Sequence, residues 1–504
     1  MKKSIKTVGF MFVMILLSKL MGQGREMLIA SLYGSSDAAD AFYVASALPL
    51  NLFDIVFASA VSSAFIPVYN TYLEKDGAKE SDRFASAFLN AILLGSVILT
   101  GLLILFSSDV VSVLAGDLAA PAHNIAVNLS VILLPIIVFA SLAFSLVGLL
   151  QSKGEFSVPA AMSLVSNGIV ILYLFFLNDQ FGINGLAVSL LVGWGLQFAI
   201  QIPVAIKKGF SYQPVLRHEG LKTVVKLAIP VMVGTWIQPI SVLINNAFAS
   251  GIPDGVSTLN WANKLYLIVS SVFTVSLTNY IFPRLSKQSV QDDMQSYNNT
   301  LRTSFMLIVA VLVPIMVLML ALKTPIIEIV YKRGEFTDHD LYLTAGAFFY
   351  YSLGIPFYGL LDLLNKAYYA RKKMLVPSIT AGVAIVFNIG LSLVLKNVMG
   401  SFGLALANSL TAVFMSTVLL VLLNKQLGFL GKKELFSVIG YALLGVMMFP
   451  VCTLTYQLIP LKSNLIGHIV TVGIAALAGI LVYGGGLLIT QKEIRTKLKG
   501  VMKR

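Results

Sequence analysis

The chain has 504 residues, 57% hydrophobic and only 12% charged, whereas a soluble domain carries about 25% charged residues. This excludes an ordinary soluble enzyme and a nucleic-acid partner, and the formal charge of +13 reads as basic loops beside anionic lipid. The single cysteine, Cys452, excludes an internal disulfide and a cysteine-based metal site.

Lys2, Lys3 and Lys6 precede an apolar run from Thr7 to Leu17. No small-residue cleavage site follows and the run continues through Lys19 and Arg25, so it reads as a first span that is retained. Apolar stretches long enough to cross a bilayer recur to the end of the chain. The ten-residue alternation of a β-barrel is absent. The expected class is therefore an all-α polytopic membrane protein of about fourteen helices. The first six spans fall at roughly 7–33, 41–73, 84–107, 123–152, 157–177 and 184–206. The next six fall at roughly 221–249, 258–283, 301–322, 337–370, 376–395 and 402–424. The last two are near 437–458 and 464–490.

Loop charge tests that count. The termini, the loops 74–83, 153–156, 207–220, 284–300, 371–375 and 425–436, and the flanking Lys222, Lys226 and Arg302 hold 27 of the 36 basic residues. The opposite set holds only Lys323, Lys332, Arg333, Lys396 and Lys462. Such asymmetry places both termini in the cytoplasm and requires an even number of spans.

The halves of the chain echo each other. Lys153 to Pro159 matches Arg371 to Pro377, and Gly185-Leu186-Ala187 matches Gly403-Leu404-Ala405, both at an offset of 218. Phe65-Ile66-Pro67 echoes Ile281-Phe282-Pro283 at 216. Equivalent spans are six apart, so the two six-helix lobes form a parallel pseudo-repeat. The expected division is 1–207, 208–425, and a third part, 426–504, with the last two helices and a basic cytoplasmic tail. Pro49, Pro135, Pro230, Pro239, Pro314, Pro356 and Pro450 fall inside spans and favour kinks. Gly22-Gln23-Gly24 is expected to loosen the first span before Arg25.

Four cations lie inside spans: Lys19, Arg25, Lys264 and Lys366. A cation within a bilayer is costly and marks a pathway or a ligand unless it is paired. Lys366 follows Asp362 by four residues, a favourable helical pair, and reads as structural. Lys19, Arg25 and Lys264 read as the binders of an anion, a phosphate group by its charge. The bland alternatives are salt bridges between helices and side chains snorkelling to the interface. Glu26 is a resting partner for Lys19 or Arg25. Asp40, Asp54 and Asn263 are candidate gating or charge-pairing residues. Asp54 stays open between a proton or cation site, a partner for Arg25 and a boundary residue. The four histidines lack metal spacing, no Walker A loop is present and no catalytic constellation stands out, so the expectation is a transporter with no cofactor. Coupling to the membrane potential or a monovalent cation is compatible with the pattern.

Ser18-Lys19-Leu20-Met21-Gly22-Gln23-Gly24-Arg25-Glu26 resembles the opening motif of the MurJ (MviN) lipid II flippase family, within the multidrug/oligosaccharidyl-lipid/polysaccharide exporter superfamily. Asp40 to Ala45 with Leu48-Pro49, Ala64 to Pro67, Tyr331 to Thr337, and Tyr369-Ala370-Arg371 with Pro377 are similar to further family motifs. The resemblance covers nearly the whole chain. It implies two lobes around a cationic cavity, a groove for a polyprenyl tail formed by the last two helices, and residence in the bacterial cytoplasmic membrane. The implied activity moves an undecaprenyl-diphosphate-linked saccharide from the cytoplasmic to the outer leaflet by alternating access. Membrane lipids and cell-envelope synthases are the implied partners. The family usually carries Arg at the positions of Lys19 and Lys264, and a basic residue where Phe53-Asp54 stands. An exopolysaccharide-unit flippase, a cation-coupled multidrug exporter and a non-transporting scaffold are the rival readings.

Overall fold

A computed structural model describes residues 2–58, 60–460 and 464–490. Lys462 and the basic tail lie outside the described residues. The described chain is helical and, among the described residues, has no strand. That follows from the solvent: hydrocarbon offers no hydrogen bonds, so each spanning segment must satisfy its own backbone.

Packing groups the helices into residues 1–257 and 258–504. The first unit contains α1 (Lys2–Tyr33), α2 (Asp37–Val56), a π-helical turn (Ala60–Phe65), α3 (Ile66–Lys75), α4 (Gly77–Leu105) and α5 (Ser107–Ala115). It continues with α6 (Ala120–Leu133), α7 (Ile136–Ser152), α8 (Ser157–Phe176), α9 (Asn178–Ala199), α10 (Gln201–Lys207), α11 (Glu219–Thr235) and α12 (Ile237–Ser250). The second contains nearly all of α13 (Gly255–Val290), then α14 (Met294–Ala321), α15 (Lys323–Tyr331), α16 (Asp338–Ser352) and α17 (Ile355–Ala370). It ends with α18 (Leu375–Met399), α19 (Ser401–Leu427), α20 (Lys432–Leu458) and α21 (Leu465–Thr490). This grouping by contact places α11 and α12 with the first unit; the division at 207/208 is one by repeat, a different criterion.

Ten helical segments among the described residues are long and apolar enough to cross a membrane, or eleven if α16 and α17, bent by 43°, count as one span. With α1, the α11–α12 pair and α13, they follow the fourteen spans one for one. Proline acts in two ways. The chain breaks at Pro135 and just before Pro356, whereas Pro49, Pro314 and Pro450 lie within continuous helices. The glycines of α1 cause no break, so the expected loosening there is corrected: α1 is one helix from Lys2 to Tyr33.

The repeat is visible in the backbone. Gly182 has φ 53° and ψ −144°, and Gly400 has φ 58° and ψ −134°, a region essentially restricted to glycine. They are 218 residues apart, the offset of the sequence echo. After α7, Gly154 at φ 74° ends the helix, with Glu155 N donating to Leu150 O at 2.8 Å. After α17, Lys372 at φ 59° does the same, with Lys373 N donating to Tyr368 O at 3.0 Å. Both are helix-closing turns of the left-handed type.

Charged loops are tied at one end of the first unit. Buried Asp82 on α4 accepts from Tyr69 OH at 3.2 Å and from Ser211 N at 2.9 Å, and pairs with Lys153 at 3.2 Å. Burial by itself would lower the Lys153 ammonium; Tyr69 and Asp82 outweigh it and hold the group above the usual lysine value. Lys208 pairs with Glu155 at 3.0 Å.

Substituting Gly400→Ala is expected to destabilise the protein by about 1–3 kcal/mol, because no side chain adopts that backbone without strain. Lys372→Gly is expected to be neutral or mildly stabilising, because it relieves a positive φ. Thermal unfolding of purified protein in detergent checks both.

Candidate functional site

In the first unit the site is built where α1 packs against α8 and α2. Arg25 donates from Nη1 to Asn167 Oδ1 at 3.0 Å and from Nη2 to Glu26 Oε1 at 2.7 Å. Tyr43 OH donates to the other oxygen, Glu26 Oε2, at 2.8 Å. Asn167 Nδ2 reaches back to Ser18 O at 3.4 Å. Gly22 of α1 faces this contact: a Cβ there would stand 3.6 Å from Asn167 Nδ2, an ordinary van der Waals distance.

The pair is asymmetric. The Glu26 side chain is 4% exposed and that of Arg25 is 23% exposed. The carboxylate is locked inward while the guanidinium keeps an accessible edge. Arg25 Nε is buried with no hydrogen-bond partner among the described residues. A guanidinium has five N–H donors, and two are committed to Asn167 and Glu26. The remaining Nη hydrogens can donate to an anion at the exposed edge of the group. Tyr43 and Asn167 were not legible as partners from sequence. The available signal was Asn167 itself, an amide in the apolar run of α8.

The other anticipated residues sort as follows. Lys19 is exposed on α1, six positions before Arg25. Asp40 is buried at the start of α2 and accepts from Ser257 N at 2.7 Å, where its charge suits the first turn of α13. Asp54 is exposed on α2. It is not a partner of Arg25, whose carboxylate is Glu26; charge pairing for Asp54 is corrected on that point. Its neighbour Phe53 is buried and stacks on Phe144 with ring centroids 5.2 Å apart.

In the second unit, Lys264 is half-buried on α13. The neighbouring Asn263 is half-buried on the same helix. Lys366 donates to Thr278 Oγ1 at 2.5 Å and pairs with Asp362 at 3.1 Å. The four-residue pairing expected from sequence is therefore present. Thr278 also donates to Asp362, which joins α13 to α17.

The second unit also holds a cavity of about 1160 Å³ between α14, α17, α19 and α20. Phe305, Val313, Leu320, Leu360, Ala442 and Phe449 are among its apolar lining residues, and Lys432 and Glu434 stand at one end. From Phe305 to Leu320 it follows α14 for about 22 Å, at 1.5 Å per residue. The thirteenth span, α20, is a wall of this groove. The fourteenth, α21, packs along α20.

Arg25→Ala leaves the Glu26 carboxylate buried with its cation removed, and is expected to cost about 1–3 kcal/mol of stability, less than a fully buried pair because Arg25 is partly exposed. Adding Glu26→Gln should recover most of the loss. Thermal unfolding of the single and double variants measures this.

The chain matches a family model described as lipid II flippase MurJ over residues 29–475. A lipid II flippase MurJ from Burkholderia cenocepacia is 29% identical over 424 residues, covering 82% of each chain. A probable lipid II flippase MurJ from Rickettsia prowazekii is 28% identical over 407 residues, covering 79% of each. A solved lipid II flippase MurJ in an inward closed conformation superposes with a TM-score of 0.83 at 26% identity, covering 96% of this chain and 99% of that one. An inward-facing multidrug resistance transporter of the MATE family shares the fold, with a TM-score of 0.68 at 13% identity over 81% of this chain and 98% of that one. On the strength of a match spanning most of its length, this chain belongs to the lipid II flippase MurJ family.

Proposed function

We propose that this protein translocates an undecaprenyl-diphosphate-linked saccharide, the lipid II-type peptidoglycan precursor, from the cytoplasmic to the outer leaflet. Family membership supports the substrate class. The observation that carries the chemistry is the half-buried Arg25, anchored by Glu26 and Asn167 yet partly exposed, with an Nη hydrogen left on each terminal nitrogen. In this reading Arg25 takes the diphosphate, with Lys19 and Lys264 as further point charges. Glu26 neutralises Arg25 when the site is empty, which limits the cost of a charge in the membrane.

The apolar groove of the second unit suits the polyprenyl tail, because an isoprenoid chain gains by leaving no polar lining stranded. The head then moves through a polar path while the tail stays in an oily one. Both termini lie in the cytoplasm in this proposal, following the bias of basic loops. A membrane potential acts on each translocated charge by about 2.3 kcal/mol per 100 mV. Negative inside, it favours outward movement of the anionic head and inward return of the bare cations. No cofactor enters the cycle; a monovalent cation is the alternative driving species, and cell-envelope synthases are the candidate partners.

Flipping assayed in vesicles tests the head-group site. Arg25→Ala/Glu26→Gln, inserted in normal amounts, is expected to lose most transport, and Arg25→Lys to keep part of it. Unchanged transport by the double variant would sink the role of Arg25. Depletion in cells separates the two saccharide classes: lysis with accumulated lipid II supports the peptidoglycan precursor, and viable cells lacking matrix support an exopolysaccharide unit.

The groove has its own test. Ala442→Trp fills it and is expected to raise the half-saturating concentration of long-chain substrate while sparing a short-chain analogue. Equal effects on both would remove the groove from tail binding.

A further inference from the structure

The segment Tyr331-Lys332-Arg333-Gly334-Glu335-Phe336-Thr337 stands apart from both the arginine site and the groove. Its backbone is fixed at each end. Arg333 donates to Val330 O at 2.8 Å and Ile329 O at 2.7 Å, covering the carbonyls that α15 leaves open at its C-terminus. Thr337 and Asp340 form a reciprocal capping box at the start of α16, with N–H to side-chain distances of 2.7 and 3.3 Å. Lys332 pairs with Asp338 across the turn at 2.6 Å. Gly334 provides the reversal at φ 56°.

A turn held so firmly presents its two aromatic residues in fixed positions. Tyr331 and Phe336 are both buried, with centroids 5.8 Å apart. They enclose Trp261 of α13 at 6.1 and 5.4 Å. Trp261 is completely buried. Tyr331 OH also donates to Trp261 O at 3.3 Å. Farther along α13, toward α16 and α17, the contacts are again between rings. Tyr266 stacks on Tyr351 at 5.9 Å and meets Tyr358 of α17 at 5.8 Å. Lys264 lies between these grips.

We propose that the α15–α16 turn and the tyrosines beyond it are a clasp that positions Lys264 for the anionic head group. A slip of one residue along a helix turns a side chain by about 100° and moves it about 1.5 Å. Holding α13 at Trp261 and Tyr266, on either side of Lys264, removes both freedoms. This matters more for lysine than for arginine, because a single ammonium on a flexible stem has no planar fork to align itself. Tyr331, Phe336 and Tyr351 are thus positioning residues acting through Lys264. The inference rests on the reading of Lys264 as a substrate cation.

The test is vesicle transport measured against lipid II concentration. Phe336→Ala, and the milder Phe336→Leu should the first fold poorly, are expected to raise the half-saturating concentration about three- to tenfold, the range typical of coupled neighbours, with the maximal rate retained. Phe336→Tyr should restore normal behaviour. In a Lys264→Ala background the Phe336 effect should vanish, whereas in an Arg25→Lys background it should persist in full. Additive losses with Lys264→Ala, or a lower maximal rate at unchanged half-saturation, overturn the clasp while leaving the Lys264 reading intact. Lys264→Ala with wild-type half-saturation overturns that reading and the clasp with it.

Discussion

A guanidinium held inside a hydrophobic span is the constraint on which the first unit is organised. The cost of such a charge is contained only when a counter-charge and hydrogen bonds accompany it. Glu26 supplies the charge, and Tyr43 and Asn167 supply the bonds. Three helices are thereby fixed at one point. The same arrangement leaves an edge of Arg25 exposed beside its structural pairing.

The two cations of the second unit show how context divides a single residue type. Lys366 gives its ammonium to Asp362 and Thr278, and its charge is compensated by its own helix. Lys264 sits in a segment of α13 whose neighbours Trp261 and Tyr266 are held by aromatic rings. Ring packing holds the helix there. The groove follows a third principle. Its lining is apolar along α14 and changes to Lys432 and Glu434 only at one end, a distribution suited to a chain with a polar terminus.

Departures from the family pattern acquire physical meaning in this setting. At the position where the resemblance implies a basic residue, Phe53 stacks on Phe144 in the interior and Asp54 is exposed. The position serves packing here. A lysine depends on its helix for orientation to a degree that an arginine, with its planar fork, does not.

Much of the architecture was legible from local rules. Spans follow from apolar length, and the fourteen expected segments correspond to described helices. The duplication is local too, since Gly182 and Gly400 hold the same unusual backbone at the offset of the sequence echo. The Lys366–Asp362 pair is dictated by helical spacing alone. Other features required tertiary structure. Spacing permitted either Lys19 or Arg25 to meet Glu26, and the approach of α8 brought Asn167 to Arg25. Asp40 acts through the start of a helix 217 residues away, and the charged turn after α15 proved to be an aromatic clasp around Trp261. The reason is range: backbone conformation and i,i+4 pairing depend on a few neighbouring residues, whereas contacts between helices depend on packing, which short-range periodicity does not encode.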